Sequence, residues 1–237
     1  GIPDKSIDMI LCDLPYGTTA CKWDTVIPFE PLWEQYKRII KDNGVIVLFG
    51  NEPFSSYLRL SNILQYKYDW VWYKNTGSGI PNVKIKPLSY HENIMVFSNG
   101  LLKKITYNQQ MEARVSNASE KVVTSGVSSS TNKGKHGTHK KIDKKTYSIL
   151  KTPESVIKIK SVPNANGKLH PTQKPVALFE YLIKTYTNEG DLVLDNCAGS
   201  GTTAIACLNT NRNYICIEQD DNYFNIMSNR VYNHVSN

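Results

Sequence analysis

Leu192-Val193-Leu194-Asp195-Asn196-Cys197-Ala198-Gly199-Ser200-Gly201-Thr202-Thr203 is a short apolar run that breaks into Gly-x-Gly and then into helix-forming residues. The run predicts a buried strand, and Thr203 to Leu208 predicts a helix. A second strand, Tyr214-Ile215-Cys216-Ile217, ends in the acid Glu218, 17 residues beyond Gly201. Strand, Gly-rich turn, helix, strand and acid make a nucleoside-cofactor unit. The glycines let backbone approach a ligand, the helix start offers unpaired N–H groups, and the acid can accept from both ribose hydroxyls. Gly199-x-Gly201-x-x-Ala204 also satisfies the relaxed dinucleotide pattern, so a nicotinamide oxidoreductase is one alternative.

The other end of the chain repeats the logic with different chemistry. Ile7 to Cys12 is apolar and predicts a buried strand, and Asp13-Leu14-Pro15-Tyr16 follows it. Open α/β sheets place ligand sites at such carboxyl ends. The Asp13 carboxylate can accept a hydrogen bond from an exocyclic amino group. The Leu14 carbonyl can accept another, with Pro15 stiffening the turn. Tyr16 offers a ring face to a planar base. The same four residues also fit an ordinary Asx-Pro turn.

Between these ends the pattern is α/β. Glu30 to Lys41 has helical periodicity, with Asn43-Gly44 read as its C-cap. Val45 to Phe49, Tyr68 to Tyr73 and His91 to Phe97 predict strands, and Phe54 to Gln65 a helix. Val176 to Thr185 and Asn222 to Val231 predict helices. The fold class is α/β, a doubly wound sheet with helices on both faces. Residues 1–100 and 165–237 form the catalytic and cofactor-binding domain, and 101–164 is an insertion rich in Lys, Ser, Thr, Asn and Gly. Within it, Tyr147 to Leu150 and Ser155 to Ile159 suggest short strands.

Charge sets the insertion apart. The chain carries a formal +7. Lys103 to Lys168 holds 14 Lys and Arg against 4 Asp and Glu, and the remainder holds 14 against 17. All the excess positive charge lies in one segment, which suits a polyanion such as nucleic acid. The candidate DNA contacts are Lys103, Lys104, Lys133, Lys135, Lys140, Lys141, Lys144 and Lys145. A solvated basic loop has the same composition.

The five cysteines, Cys12, Cys21, Cys197, Cys207 and Cys216, show no Cys-x-x-Cys spacing. That speaks against a disulfide framework and a metal site, and for a cytoplasmic protein. His136 and His139 form at most a weak metal pair. No stretch has the length and hydropathy of a membrane span, and no signal peptide is evident. The chain begins at Gly1 rather than Met, so it looks trimmed. Trp72 to Gly77 follows a strand and is a candidate pocket wall, with Lys74 either near a phosphate or solvated. His91-Glu92 reads as structural.

Three segments together carry a resemblance. Asp13 to Tyr16 resembles the Asp-Pro-Pro-Tyr motif of amino-methyltransferases, which methylate the exocyclic nitrogen of adenine or cytosine in DNA. Asp195 to Thr203 resembles their Asp-x-Phe-x-Gly-x-Gly cofactor motif. His170-Pro171-Thr172-Gln173-Lys174-Pro175 is similar to the segment preceding it in the β group. The order, catalytic motif first and cofactor motif last, is that group's circularly permuted order.

The resemblance implies S-adenosylmethionine as cofactor, double-stranded DNA as partner and adenine N6 as target. Family members acting on cytosine N4 often carry Ser where this chain has Asp13. It implies catalytic roles for Asp13, Leu14, Pro15 and Tyr16. It implies a cofactor site of His170, Thr172, Lys174, Asp195, Cys197, Ala198, Gly199, Ser200, Gly201, Thr202 and Glu218, with no metal. A homodimer, a cognate restriction enzyme and a bacterial or phage-infected cell go with the group. Leu14 replaces a motif Pro, and Cys197 replaces the motif Phe. Family members also carry a short stretch before the first strand whose acid meets the cofactor's adenine, and part of that pocket is expected to be missing here. The alternatives are a cytosine-N4 enzyme, an NAD-dependent oxidoreductase, and a non-catalytic nucleic-acid-binding subunit.

Overall fold

A computed structural model describes residues 1–18, 24–113, 150–163 and 168–236. Two compact units emerge, residues 1–108 with 155–237, and residues 109–154. In chain order the larger unit has β1 (Ile7–Cys12), α1 (Phe29–Ile39), β2 (Ile40–Gly50), α2 (Phe54–Ser61), β3 (Tyr66–Ser78) and β4 (Ser89–Phe97). The smaller unit's described residues form a short antiparallel pair, β5 (Glu112–Ala113) and β6 (Leu150–Lys151). The larger unit then continues with β7 (Val156–Lys158), α3 (Val176–Tyr186), β8 (Leu192–Asp195), α4 (Thr202–Asn209), β9 (Asn213–Cys216) and α5 (Asp221–Val235).

The main sheet has the order β7-β3-β4-β2-β1-β8-β9. β1 pairs in parallel with β2 on one side and β8 on the other. This is the switch point of the sheet, where chain ends open a crevice. Strand β4 runs antiparallel to both β2 and β3, so the sheet is mixed rather than wholly parallel. Alternation along β1 feeds two cores. Met9 and Leu11 pack with Leu178, Phe179, Leu182 and Ile183 of α3, while Ile7, Ile10 and Cys12 pack with Leu32, Trp33 and Tyr36 of α1. Helices therefore cover both faces, as expected from the sequence. On the α3 face the Phe49 and Phe179 rings stack at 5.3 Å.

The structure revises four boundaries. First, α1 stops at Ile39, because Ile40 is already extended (φ −72, ψ 137) and pairs with Ile7. The register then jumps to Met9 opposite Val45, leaving Lys41–Gly44 as a bulge in β2. Asn43-Gly44 is thus no helix cap. Gly44 is needed for close approach, since a Cβ there would lie 2.8 Å from the Ile40 side chain and 2.9 Å from the Asp8 carbonyl. Second, α2 ends at Ser61 instead of Gln65. Third, β3 runs on to Ser78, carrying Trp72 into the core and Lys74 into the site. Fourth, β7 joins the main sheet beside β3, with Val71 opposite Val156. The second compact unit, 109–154, falls within the expected insertion of 101–164. Tyr147–Ile149 lies outside the described residues.

Candidate active site

Asp13 directly follows the last residue of β1 and so lies at the carboxyl edge of the sheet, between β2 and β8. The Tyr16 hydroxyl donates to Asp13 Oδ1 at 2.6 Å. The Lys174 ammonium donates to Asp13 Oδ2 at 2.6 Å and lies 3.1 Å from Glu92 Oε2. Lys74 donates to Glu92 Oε1 at 3.0 Å. Lys74, Lys174 and Glu92 are all buried. The Tyr16 ring packs one face on Phe54, with centroids 5.0 Å apart and planes inclined by 28°.

Burial pushes the Asp13 carboxyl above its ordinary range, with Lys174 pulling the other way. Burial also penalises charged Lys174, but Asp13 and Glu92 outweigh it and hold the ammonium firmly protonated. Burial opposes the Glu92 charge as well, and Lys174 and Lys74 overcome it, holding that carboxyl below its ordinary value. Burial, followed by the charge of Asp13, pushes the Tyr16 phenol well up, so it is a donor at neutral pH.

Two cavities of ligand size meet at this carboxylate, and a third, of only about 30 Å³, is lined by Asp13 with Lys174, Asp195, Ala198, Ser200 and Thr202. The larger of the two, about 620 Å³, is lined by Val26, Ile27, Pro28, His170, Glu218 and Tyr223. The smaller, about 330 Å³, is walled by Tyr16, Asn51, Trp72, Lys74, Glu92 and Lys174. Asp13, Pro15 and Thr172 line both.

The larger cavity sits over the Gly-rich turn. Glu218 accepts from the Gly199 N–H at 2.7 Å and from the Asp220 N–H at 2.9 Å. Each carboxylate oxygen keeps further acceptor capacity. His170 packs its ring on Tyr223 at 4.2 Å and faces Thr172 through Nδ1 at 3.1 Å. Burial lowers the His170 pKa, leaving the ring neutral at pH 7. A volume of this size suits a cofactor, since ligand sites run from about 300 to 1,000 Å³. Ile27, Pro28, Ile217 and Tyr223 supply an apolar wall, and Glu218 and Asn196 supply polar anchors. These residues fit a nucleoside bearing a polar tail.

Of the expected cofactor residues, His170, Thr172, Cys197, Gly199 and Glu218 line this cavity. The others do not. Lys174 turns to the smaller cavity and to Asp13. Asp195 is buried beneath the turn, accepting from the Thr203 hydroxyl and from the Cys197 N–H at 3.0 Å. Ala198, Ser200 and Thr202 are buried too, with the Ser200 carbonyl held by Arg230 and the Thr202 hydroxyl by the Lys174 carbonyl. Gly201 faces Met227 of α5, where an added Cβ would lie 2.6 Å from Met227 Cγ. Its φ of +78 and this contact make it a packing glycine.

The Leu14 side chain is buried, and Pro15 lines both cavities. Lys103 and Lys104 stand exposed on the 3-10 turn Leu102–Lys104 of the larger unit. Lys133, Lys135, Lys140, Lys141, Lys144, Lys145, His136 and His139 lie outside the described residues, as do Cys21 and Trp23. Trp72 and Lys74, from the expected pocket wall Trp72 to Gly77, line the smaller cavity, but Lys74 is buried against Glu92 rather than solvated. Glu92, read as structural, lines that cavity as well, and the Val26–Pro28 wall escaped the sequence reading.

Known proteins agree with this architecture. A family model described as DNA methylase, N6_N4_Mtase, matches residues 7–229. The chain belongs to the DNA methylase family. Type II methyltransferase M.HpaI of Haemophilus parainfluenzae is 29% identical over 253 residues, covering 97% of this chain and 69% of that protein. DNA adenine methyltransferase YhdJ of Escherichia coli is 28% identical over 240 residues, covering 94% of this chain and 75% of its own. Among solved structures, the M1.HpyAVI–SAM complex superposes with a TM-score of 0.59 at 24% identity, covering 95% of this DNA methylase and 89% of that chain. That likeness is one of fold. No described helix of this methylase is long and apolar enough to cross a membrane.

Proposed function

We propose that this chain is an S-adenosylmethionine-dependent DNA methyltransferase acting on the N6 amino group of adenine. The observation that carries this is the position of Asp13 in the wall shared by the two cavities. S-adenosylmethionine, bound in the larger cavity against Glu218, Ile217 and Tyr223, supplies the methyl group. Cys197, Gly199, His170 and Thr172 line the same space. Asp195, Ala198, Ser200, Gly201 and Thr202 support the turn and its helix, and Lys174 holds Asp13 from the smaller cavity.

The smaller cavity takes the target base. An amino nitrogen inside a duplex is out of reach, so the base leaves the stack. Trp72, Tyr16 and Pro15 offer it flat apolar walls. Asp13 accepts a hydrogen bond from the amino group, and the Leu14 carbonyl accepts a second. Two fixed acceptors orient the nitrogen lone pair toward the larger cavity. The gain is orientation and electrostatics, without a covalent enzyme intermediate. Asp13 and Tyr16 are intact, which favours an active enzyme over a vestigial binding subunit. YhdJ, an adenine methyltransferase by name, supports adenine over cytosine.

The basic stretch Lys103 to Lys168 supplies contacts to the DNA backbone. A second copy of the chain, a cognate restriction enzyme and a bacterial cytoplasm complete the assignment. Binding tests the cofactor half of it. S-adenosylhomocysteine should raise the melting temperature and NAD should not, and Glu218→Ala should abolish the rise. Stabilisation by NAD alone would move the chain to the oxidoreductases.

A further inference from the structure

Glu92 is a buried acid that the proposed chemistry leaves without a task. It stands on β4 between two lysines, 3.0 Å from Lys74 Nζ and 3.1 Å from Lys174 Nζ. With Asp13 these groups form an alternating row, Lys74–Glu92–Lys174–Asp13. The row draws on four separate elements: β3, β4, the segment before α3, and the turn after β1. Burying four charges costs more than an apolar replacement would. Lys174 and Asp13 alone would already be neutral, so neutrality does not call for the outer pair.

Lys174 is the pivot. Its ammonium has three N–H donors and no acceptor. It divides its charge between Asp13 Oδ2 and Glu92 Oε2. We propose that Glu92 is a positioning residue for Asp13, drawing Lys174 partly away so that Asp13 remains a strong acceptor for the target amino group. Lys74 balances Glu92 from its far side. This rests on the role of Asp13 in base methylation.

The physical reason is basicity. A carboxylate committed wholly to a buried ammonium accepts further hydrogen bonds poorly, and acceptor strength follows basicity. The groups around Asp13 are Tyr16 of its own turn, Lys174, Glu92 of β4, Cys12 of β1 and Asp195 of β8. Lys168, near Lys174, adds positive charge from the same segment. Burial is the largest influence raising the Asp13 pKa. Lys174 is the largest lowering it, and Glu92 is the next, in the raising direction. Removing the Glu92 charge while freeing Lys174 for Asp13 therefore lowers the Asp13 pKa by two routes.

The test is methyl transfer to duplex DNA against pH for the wild type, Glu92→Gln and Glu92→Asp. For Glu92→Gln, kcat should fall roughly tenfold with KM for DNA within about twofold. The acid limb of the rate profile should move to lower pH, and Glu92→Asp should restore both rate and limb in part. Should Glu92→Gln fail to fold, Lys74→Gln/Glu92→Gln keeps the row neutral, and the same displaced limb is expected. Wild-type transfer with an unmoved limb in the variants would make Glu92 structural and overturn the proposal alone. A wild type that transfers no methyl group overturns the Asp13 role and the proposal together.

Discussion

The Lys174 ammonium lies 2.6 Å from the Asp13 carboxylate across 161 residues of chain. The segment before α3 and the turn after β1 meet in that contact, because α3 packs on β1. Both groups are largely hidden from solvent, with side-chain exposures of 8% and 18%. Removing one partner of such a pair leaves an uncompensated buried charge. Lys174→Met should cost about 3–5 kcal/mol of stability. It should also raise the Asp13 pKa, so that methyl transfer at neutral pH falls by about 10²-fold and recovers in part at higher pH. Chemical denaturation and rate profiles check the two halves, and an unchanged midpoint would mean that the pair is not formed in solution.

Wild-type activity should itself have a displaced acid limb. Burial, partly offset by Lys174, puts Asp13 above the ordinary carboxylate range. The acceptor form is lost as pH falls through that raised value. Single-turnover rates should therefore drop at a higher pH than an exposed aspartate would produce, about 3.9. Asp13→Asn should remove that limb along with most of the activity.

Asp195 provides a stability test separate from catalysis. Burial is the main cause that pushes its carboxyl from 3.8 up to about 6, against the hydrogen bonds from Thr203 and Cys197. The folded state thus holds the proton more tightly than the unfolded chain. Stabilisation by the protonated form is complete below about pH 4 and is lost as pH rises through 6. Asp195→Asn should gain on the wild type over that window by on the order of 3 kcal/mol. Urea titrations at pH 4 and pH 7 measure the difference, and a constant gap between the two proteins would rule out a raised Asp195.

Gly201 separates packing from ligand binding. Gly201→Ala places a methyl group against Met227 and forces a side chain into the left-handed region. It should cost about 1–3 kcal/mol. Met227→Ala in the same chain should relieve the contact but not the backbone strain. Thermal melts of the two variants report this, and full recovery would show that φ carries no penalty.

Much of this site was legible because its anchors are local. Asp13 and Gly199 each follow an apolar run, and periodicity alone places both at strand ends. Glu92 was not legible, since its partners lie on β3 and in the segment before α3, and strand register alone aims it at them. Lys74 was legible as part of a pocket wall but not as the partner of Glu92, because β3 continues past Tyr73 and carries it inward instead of leaving it in a loop. Lys174 sits in the segment resembling the family's cofactor region, yet its side chain turns to the base cavity. The antiparallel β4 left no trace in composition, because a strand buried on both faces reads alike in either direction. Asn43-Gly44 misled because Asn-Gly fits a helix C-cap as well as a bulge.

The most direct test of the central claim is the identity of the methylated nucleoside. Duplex DNA of mixed sequence would be incubated with the protein and S-adenosylmethionine, digested, and analysed by mass spectrometry beside an Asp13→Ala control. N6-methyladenine that disappears in the control is the predicted result, with the loss at least about 10²-fold. N4-methylcytosine, or N6-methyladenine made equally well by Asp13→Ala, would contradict it.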